Sequence, residues 1–355
     1  MLAALLRAPL DLQAKRIPSF ALEPDQVMIQ VVACGICGSD LRYYHGENPW
    51  ALHTLGKPLP NPPNIVLGHE FAGTVSGNTI SPLRGKRVAV LCFKTCGRCD
   101  QCRSGRENLC KNTMHLGHGA GWGKRRYYPG GMAEQCPAWE HLCFAIPDHM
   151  SFDEAALLDV VGVGVHAARV AAVAPGASVA VYGAGPIGNA IMQASKAMGA
   201  SKVFVVDTYD VALEIARLCG ATGAVKADST DAAQSLREVN RGNFQVVFDT
   251  VGTAETLRNC IGLLAEGGTA VLMAVHDLEF AVNSLDLGSE RSLRTSCNFR
   301  IEEYPLSIAL VSSGQIDVRP WITHRFPLKK VSEAFETAFH KEENGAFKIM
   351  IYPDS

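Results

Sequence analysis

Four cysteines fall within fifteen residues as Cys96-x2-Cys99-x2-Cys102-x7-Cys110, with Gly97 and Gly105 helping the backbone wrap around a shared centre. Zinc accepts four thiolates tetrahedrally, and a closed set of four leaves no vacant position, so the spacing predicts a structural zinc. The main rival is an iron–sulfur centre, whose usual run ends in x3-Cys and not in x7. A zinc lobe that grips nucleic acid is a second rival. Arg98, Arg103, Arg106 and Lys111 supply charge for it, but no aromatic-basic recognition helix follows.

A second constellation is Gly183-Ala-Gly185-Pro186-Ile187-Gly188, with Asp207 nineteen residues past its last glycine. The run follows a short apolar strand and opens a helix, which is the context that gives a glycine-rich fingerprint its weight. Gly183 makes the tight turn, Gly185 lets the backbone approach a pyrophosphate, and Gly188 lets helix and strand pack closely. Asp207 suits the ribose hydroxyls of NAD and repels a 2′-phosphate, and Thr208-Tyr209-Asp210 offers no cation to hold one. NAD is therefore the expected cofactor over NADP.

The third set is sparser. Cys37 lies in Gly35-Ile-Cys37-Gly-Ser39-Asp40, and His69 lies in Gly68-His69-Glu70. A cysteine and a histidine 32 residues apart establish little alone; their weight comes from their surroundings.

The elements that must position these residues have two textures. To about Pro147 the chain is rich in Gly and Pro, with β-branched runs such as Val27–Val32 and Arg87–Leu91 between turn signals. This predicts an irregular, mostly antiparallel β domain. From about Ala155 strands alternate with helices: strands at Val179–Tyr182, Val203–Val206, Gln245–Asp249 and Thr269–Met273, and helices at Ile187–Met198, Val211–Leu218 and Ala254–Leu264. Repeated β-α units predict a doubly wound parallel sheet. A helix from Pro305 to Ser313 and a strand at Phe347–Ile351 close the chain.

With 355 residues the chain is comfortable for two domains. A net charge of −2 gives no electrostatic case for nucleic acid or an anionic membrane. No apolar run is long enough for a membrane helix. The apolar Met1–Leu6 lacks a basic leader and reads as a first strand, not a signal peptide. Five of twelve cysteines fall in metal-ligand contexts, and the rest read as small buried hydrophobes in a reducing cytoplasm.

Together these features resemble the zinc-containing medium-chain dehydrogenase/reductase superfamily, within it the polyol (sorbitol) and related secondary-alcohol dehydrogenases. The resemblance covers nearly the whole chain, including the late run Ile322-Thr-His-Arg-Phe-Pro-Leu328. It implies an α/β architecture: a Rossmann doubly wound parallel sheet plus a mostly β, GroES-like catalytic domain. The expected division is 1–150 for the catalytic domain, 151–288 for the dinucleotide-binding domain and 289–355 for a segment returning to the catalytic domain. The implied activity is oxidation of a secondary alcohol of polyol, sugar or cyclitol type to a ketone, by hydride transfer to NAD with zinc activating the alcohol. An amino-alcohol oxidation of the threonine dehydrogenase type and a non-catalytic dinucleotide- or nucleic-acid-binding relative are the alternatives. The intact Cys37/His69/acid set speaks for an enzyme.

By the same resemblance a catalytic zinc is held by Cys37 and His69, with Glu70 and Asp159 competing to complete the set and both expected within reach. Ser39 resembles the hydroxyl that begins a proton relay. Many relatives carry a histidine five residues after the ligand cysteine; here it is Arg42, which cannot act as a base. Tyr43 and Tyr44 match aromatic substrate positions or are core, and Arg300 resembles a substrate-side arginine. Pro186, Ile187, Val275 and Phe299 are further expected cofactor contacts, while Ala212 stands where relatives carry a basic residue. The proline-rich segment from Tyr43 to Asn64 is expected to shape the substrate cleft, and Gly117–Gly131 reads as an exposed basic loop, with recognition of substrate charge as the alternative. A homodimer or homotetramer is expected by analogy.

Overall fold

A computed structural model describes residues 1–77, 80–227, 232–274, 276 and 278–353. The chain forms two compact units: Met1–Asp159 with Arg300–Ser312 and Ile322–Ser355, and Val160–Phe299 with Ser313–Trp321. The first unit thus runs nine residues past the boundary expected at 150, and two pieces of the expected C-terminal segment, 289–299 and Ser313–Trp321, belong to the second.

The first unit is built on one seven-stranded sheet. Strand Gln26–Gly35 lies at its centre, paired antiparallel with Glu70–Val75, Gln135–Trp139 and Lys348–Tyr352. Arg87–Val90 and Cys143–Ala145 extend one side, and Ile322–Pro327 pairs parallel with Lys348–Tyr352 on the other. The register carries consequences for the site. Gly35 is opposite Glu70 on one neighbour and Met350 on the other, so the last strand of the chain is brought beside the start of the Glu70 strand. A three-stranded sheet holds Leu2–Ala8, and a small ribbon pairs Phe93–Lys94 with Met114–His115.

The second unit is a six-stranded, all-parallel sheet in the order Gly223–Lys226, Lys202–Asp207, Ser178–Tyr182, Phe244–Asp249, Leu264–Leu272, Ser292–Thr295. The strand order reverses between Ser178–Tyr182 and Phe244–Asp249, and the crevice outside the carboxyl ends of such strands is where this architecture binds ligands. The central strands are buried on both faces, which is why they read as continuous Val-rich runs rather than alternating ones. Phe204, Phe244, Leu236 and Leu263 form the core on one side.

Helix Leu158–Val170 was not expected, because Gly162, Gly164 and five valines mask its periodicity. Gly164 explains itself: a Cβ there would lie 2.6 Å from Ala190, so the helix packs almost backbone to backbone on Pro186–Ala197.

Candidate metal centres and cofactor turn

The four sulfurs of the cysteine lobe face one point. Separations are 3.5 Å for Cys99–Cys102, 3.6 Å for Cys96–Cys110, 3.8 Å for Cys99–Cys110 and 4.0 Å for Cys96–Cys102. A tetrahedron with Zn–S bonds of about 2.3 Å has edges of about 3.8 Å, so the hole has the size of zinc. Backbone amides of Arg98 and Cys99 hold the Cys96 thiol down to about 6, while burial pushes Cys110 up to about 12. Four thiols this close can all ionise only with a cation between them. The lobe is tied to the returning C-terminal segment by Ile301 N–H, which donates to Glu107 Oε1 at 3.0 Å.

Cys37, His69 and Glu70 form a second group, with one potential ligand atom from each lying within 4.8 Å of the others. Cys37 precedes the short helix Gly38–Tyr44, and three residues on, Asp40 reaches back to it. Asp40 Oδ2 accepts from Cys37 N–H at 2.9 Å, Oδ1 accepts from Gly68 N–H at 3.3 Å, and Oδ1 lies 3.7 Å from His69 Nδ1. One fully buried carboxylate therefore sets both the cysteine loop and the histidine turn. Burial alone would pull the His69 imidazole down, but Asp40 and Cys37 outweigh it and hold the ring well above its usual range.

Glu70 is paired with a buried lysine. Lys348 Nζ donates to Glu70 Oε1 at 2.8 Å and to the Ile36 carbonyl at 3.0 Å, and lies 2.5 Å from Oε2. Only Oε1 receives an aligned hydrogen bond, and Oε2 is left without one. Burial works against the Lys348 charge, but Glu70 and Cys37 more than offset it and raise its pKa. The pair fits only because position 35 is glycine: a Cβ there would lie 2.3 Å from Glu70 Oε2. One thiol, one imidazole and one carboxylate, three donors and not four, suit a catalytic zinc.

Asp159 stands apart from this set. Its Oδ1 accepts from the Cys92 thiol at 3.5 Å, and burial pushes its carboxyl up to about 6. Glu70 joins Cys37 and His69, while Asp159, at the start of its helix, accepts from Cys92 and lies close enough to act electrostatically on His69 and Glu70. Tyr43 is corrected as well. Its hydroxyl donates to Asn48 Oδ1 at 3.3 Å and accepts from Trp50 N–H at 3.2 Å, and the ring is buried. It pins the following loop and has no proton to spare for a substrate. Burial also raises its pKa. Ser39 is half-buried on the same helix as Asp40. Arg300 opens a 3-10 turn, its guanidinium 3.6 Å from Glu302 and its Nε buried without a partner among the described residues.

The proline-rich segment is anchored at several points. Trp50 Nε1 donates to Thr113 Oγ1 at 2.9 Å, and Asn61 Nδ2 donates to the Tyr43 and Glu47 carbonyls at 3.2 and 2.8 Å. Trp122 of the basic loop stacks on Trp139 at 5.5 Å, while Lys124, Arg125 and Arg126 are exposed.

In the second unit, the turn after Ser178–Tyr182 opens helix Pro186–Ala197, with Gly185 as its cap and Pro186 at the first helical position. Gly183 has φ +88°, where only glycine is at ease. A Cβ on Gly188 would lie 1.8 Å from the Gly183 carbonyl oxygen, whereas one on Gly185 would meet nothing. The middle glycine thus borders open space at a helix N-terminus, a ready cradle for a diphosphate, bordered by the partly exposed Pro186 and Ile187. Asp207 braces the turn, its Oδ2 accepting from Ala184 N–H at 2.6 Å and its Oδ1 from Tyr209 N–H at 2.9 Å. Phe299 is a correction: it is fully buried, its ring 3.0 Å from where a Cβ on Gly162 would sit, and has no surface left for a cofactor. Val275 lies outside the described residues.

Sequence reasoning missed Asp40 as an organiser, Lys348, and two buried histidines, His115 and His118. A lysine inside the apolar run Phe347-Lys-Ile-Met-Ile351 was the available signal for the second. The Cys-x2-Asp capping pattern was the signal for the first.

Residues 23–148 match the family model described as the alcohol dehydrogenase GroES-like domain, and residues 186–313 match that of zinc-binding dehydrogenases. The chain is 30% identical to sorbitol dehydrogenase of Bacillus subtilis, covering 100% of this chain and 98% of that one. It is 33% identical to L-idonate 5-dehydrogenase of Vitis vinifera, over 96% and 91% of the two chains. Among solved structures, an alcohol dehydrogenase of Escherichia coli CFT073 complexed with NADH superposes with TM-score 0.87 at 25% identity, covering 99% of each chain. 2R,3R-butanediol dehydrogenase of Bacillus subtilis superposes with TM-score 0.85 at 26% identity, also over 99% of each.

Proposed function

The chain belongs to the zinc-containing medium-chain dehydrogenase/reductase superfamily, in its polyol dehydrogenase branch, and from that premise we propose that it oxidises a secondary hydroxyl of a polyol or sugar-type alcohol to a ketone with NAD. The observation that carries this reading is the three-donor group of Cys37, His69 and Glu70, in addition to the closed four-cysteine lobe. When bound, zinc supplies a Lewis acid for the hydroxyl oxygen and NAD supplies the hydride acceptor.

The residues of the chain do the rest. Cys37, His69 and Glu70 hold the catalytic metal, and Cys96, Cys99, Cys102 and Cys110 hold the structural one. Asp40 orients two of the catalytic ligands, Lys348 fixes the third, and Asp159 adds a nearby carboxylate. Gly183, Gly185, Pro186, Ile187 and Gly188 receive the diphosphate. Asp207 favours NAD by repelling a 2′-phosphate, and the buried Ala212 gives no compensating cation. Ser39, lacking a hydrogen-bond partner among the described residues, is free to begin proton release, a route Arg42 cannot serve because its guanidinium is held by Glu47 at 2.7 Å. Arg300, with an unpartnered Nε, is the substrate-side cation.

The enzyme acts as a homodimer or homotetramer by extending the nucleotide sheet past its edge strand Ser292–Thr295. It works in the reducing cytoplasm, where the ligand thiols stay available. Among the described residues no helix is long and apolar enough to cross a membrane.

The test is a turnover screen of sorbitol, xylitol, L-idonate, 2,3-butanediol and threonine with NAD and NADP on zinc-replete protein, reading reduced nicotinamide by absorbance. Turnover of a polyol with NAD is expected. Turnover of threonine alone would move the assignment to the amino-alcohol class, and no turnover of any alcohol would sink it.

A further inference from the structure

Two histidines outside the metal set are built into its wall. His115 ends the Phe93–Lys94/Met114–His115 ribbon, and His118 follows three residues later. Their rings lie 4.5 Å apart, and the His118 ring lies 6.4 Å from that of the ligand His69. Both are more than nine-tenths buried, with 6% and 8% exposure. They are clamped from outside: Tyr43 stacks on His118 at 5.0 Å with a 7° interplanar angle, and Phe93 stacks on His115 at 5.4 Å. Trp50, held by Thr113, meets His115 edge-on at 6.4 Å.

So rigid a pair ought to be satisfied internally, and it is not. Among the described residues, His115 Nε2 and His118 Nδ1 are buried without a hydrogen-bond partner. The two rings touch each other, and the His118 ring meets that of His69 edge-on, so both orphaned atoms belong to one ring cluster beside the metal set. Buried polar atoms in a native fold are nearly always satisfied, and a cluster of exceptions marks where a ligand completes them. In its neutral form each imidazole offers one donor and one acceptor nitrogen. A neutral imidazole matches a hydroxyl, which also donates and accepts. It is a poor match for an anion that needs charge.

We infer that His115 and His118 form a recognition site for a second hydroxyl of the substrate, selecting compounds with more than one hydroxyl over monohydric alcohols. This rests on the dehydrogenase reading for the position of the first oxygen, but its binding arm does not need turnover. Tyr43 and Phe93 preorganise the rings, which explains why the Tyr43 hydroxyl is spent on the loop and its ring face on His118.

The experiment compares wild type with His115→Phe, His118→Phe and the hydrogen-bonding variants His115→Gln and His118→Asn, each checked for two zinc ions per chain. Calorimetry measures sorbitol and 2-butanol binding to the zinc-loaded protein with NADH, and kinetics measures kcat/KM for 2,3-butanediol and 2-butanol with NAD. Each Phe variant is expected to weaken sorbitol binding, and to lower the butanediol-to-butanol ratio of kcat/KM, by about tenfold or more. The Gln and Asn variants should recover part of the loss. Equal losses for the two butanols, or unchanged sorbitol affinity in the Phe variants, would overturn the inference while leaving the dehydrogenase assignment standing. Sorbitol binding that depends on the histidines without turnover of any alcohol would uphold it and sink that assignment. No sorbitol binding by wild type would also overturn it.

Discussion

Replacing Lys348 by methionine separates the charge of this lysine from its bulk. The side chain is 3% exposed and its partner carboxylate 1%, so solvent offers neither group relief. The substitution removes the donor at 2.8 Å from Glu70 Oε1 and the donor at 3.0 Å from the Ile36 carbonyl. Leaving a buried carboxylate without its counter-charge costs about 3–5 kcal/mol, and the orphaned carbonyl adds about 1 kcal/mol. That is a large part of a typical net stability of about 5–15 kcal/mol. With zinc bound beside Glu70, the metal supplies the missing positive charge, and the loss should shrink to about 1–2 kcal/mol, the value of the lost hydrogen bonds. Linkage then requires the variant to bind zinc more tightly, by roughly 3–4 kcal/mol or on the order of 10²- to 10³-fold. Urea unfolding of metal-free and zinc-loaded protein, followed by tryptophan fluorescence, reads the first quantity. Three of the four tryptophans (Trp50, Trp122 and Trp139) belong to the unit concerned. Competition with a chromophoric chelator reads the second. The four-cysteine lobe contributes equally to wild type and variant and cancels. Equal destabilisation of the two forms, or a metal-free variant as stable as wild type, would refute the reasoning.

The remaining predictions test the other parts. Cys37→Ser should leave about one zinc per chain and abolish alcohol turnover, whereas Cys99→Ser should also lose one zinc but lower the unfolding midpoint; metal analysis by mass spectrometry with a melting curve distinguishes them. Gly185→Ala should fold normally yet bind NADH at least about tenfold more weakly, because its Cβ would fill the space left for the diphosphate. Gly188→Ala should instead destabilise the fold by about 1–3 kcal/mol or more through overpacking, since its Cβ would meet the Gly183 oxygen at 1.8 Å. NADH fluorescence titration and urea unfolding of both variants check the contrast. Asp159 has a folded pKa of about 6, raised by burial above its unfolded value, so its ionisation opposes folding. Metal-free Asp159→Asn should therefore be more stable than wild type at pH 7.5 by on the order of 2–3 kcal/mol. The gain should fade as pH falls through 6 and vanish below about 4; a constant difference from pH 4 to 7.5 would contradict it.

What could be read from the sequence was local. The glycine fingerprint is legible because turn, cap and close approach are all specified within Gly183–Gly188, and the strands of the parallel sheet are legible because burial on both faces writes continuous apolar runs. The cysteine lobe is legible for the same reason, its four ligands lying on one short loop. The catalytic region depends on pairings far apart in the chain. Lys348 meets Glu70 across 278 residues, through a register that only the assembled sheet sets. Tyr43 and Phe299 matched functional positions by type, but type does not say where a hydroxyl or a ring face is spent. One goes to Asn48 and Trp50, the other to Gly162. Asp159 was placed in the right neighbourhood, and the choice between a ligand's orientation and a turn toward Cys92 is made by the first residues of a helix whose glycines hid it.

Charge is what joins these pieces. Around Cys37 and His69 the first unit buries Asp40 and Glu70 and half-buries Asp159, with Lys348 as the one buried lysine set against them among the described residues. Burial alone drives such acids toward their neutral forms, and it raises both Asp40 and Asp159. A protein that needed only stability would do better with an apolar cluster of the same volume. Keeping these groups makes sense if a divalent cation resides among them, because it restores near-neutrality and returns the carboxylates to the charged state in which they bind or orient it. The lysine then has a defined task. It neutralises one carboxylate enough for the unit to fold before metal arrives, yet leaves Glu70 Oε2 without an aligned partner and so available. A glutamine at position 70 would keep the shape and remove that logic. Glu70→Gln should therefore fold with Lys348 raising the cost, lose the catalytic metal, and regain stability when Lys348→Met is added, a coupling of about 1–3 kcal/mol in a double-mutant cycle; additive effects would mean that the pair is held by packing and not by charge.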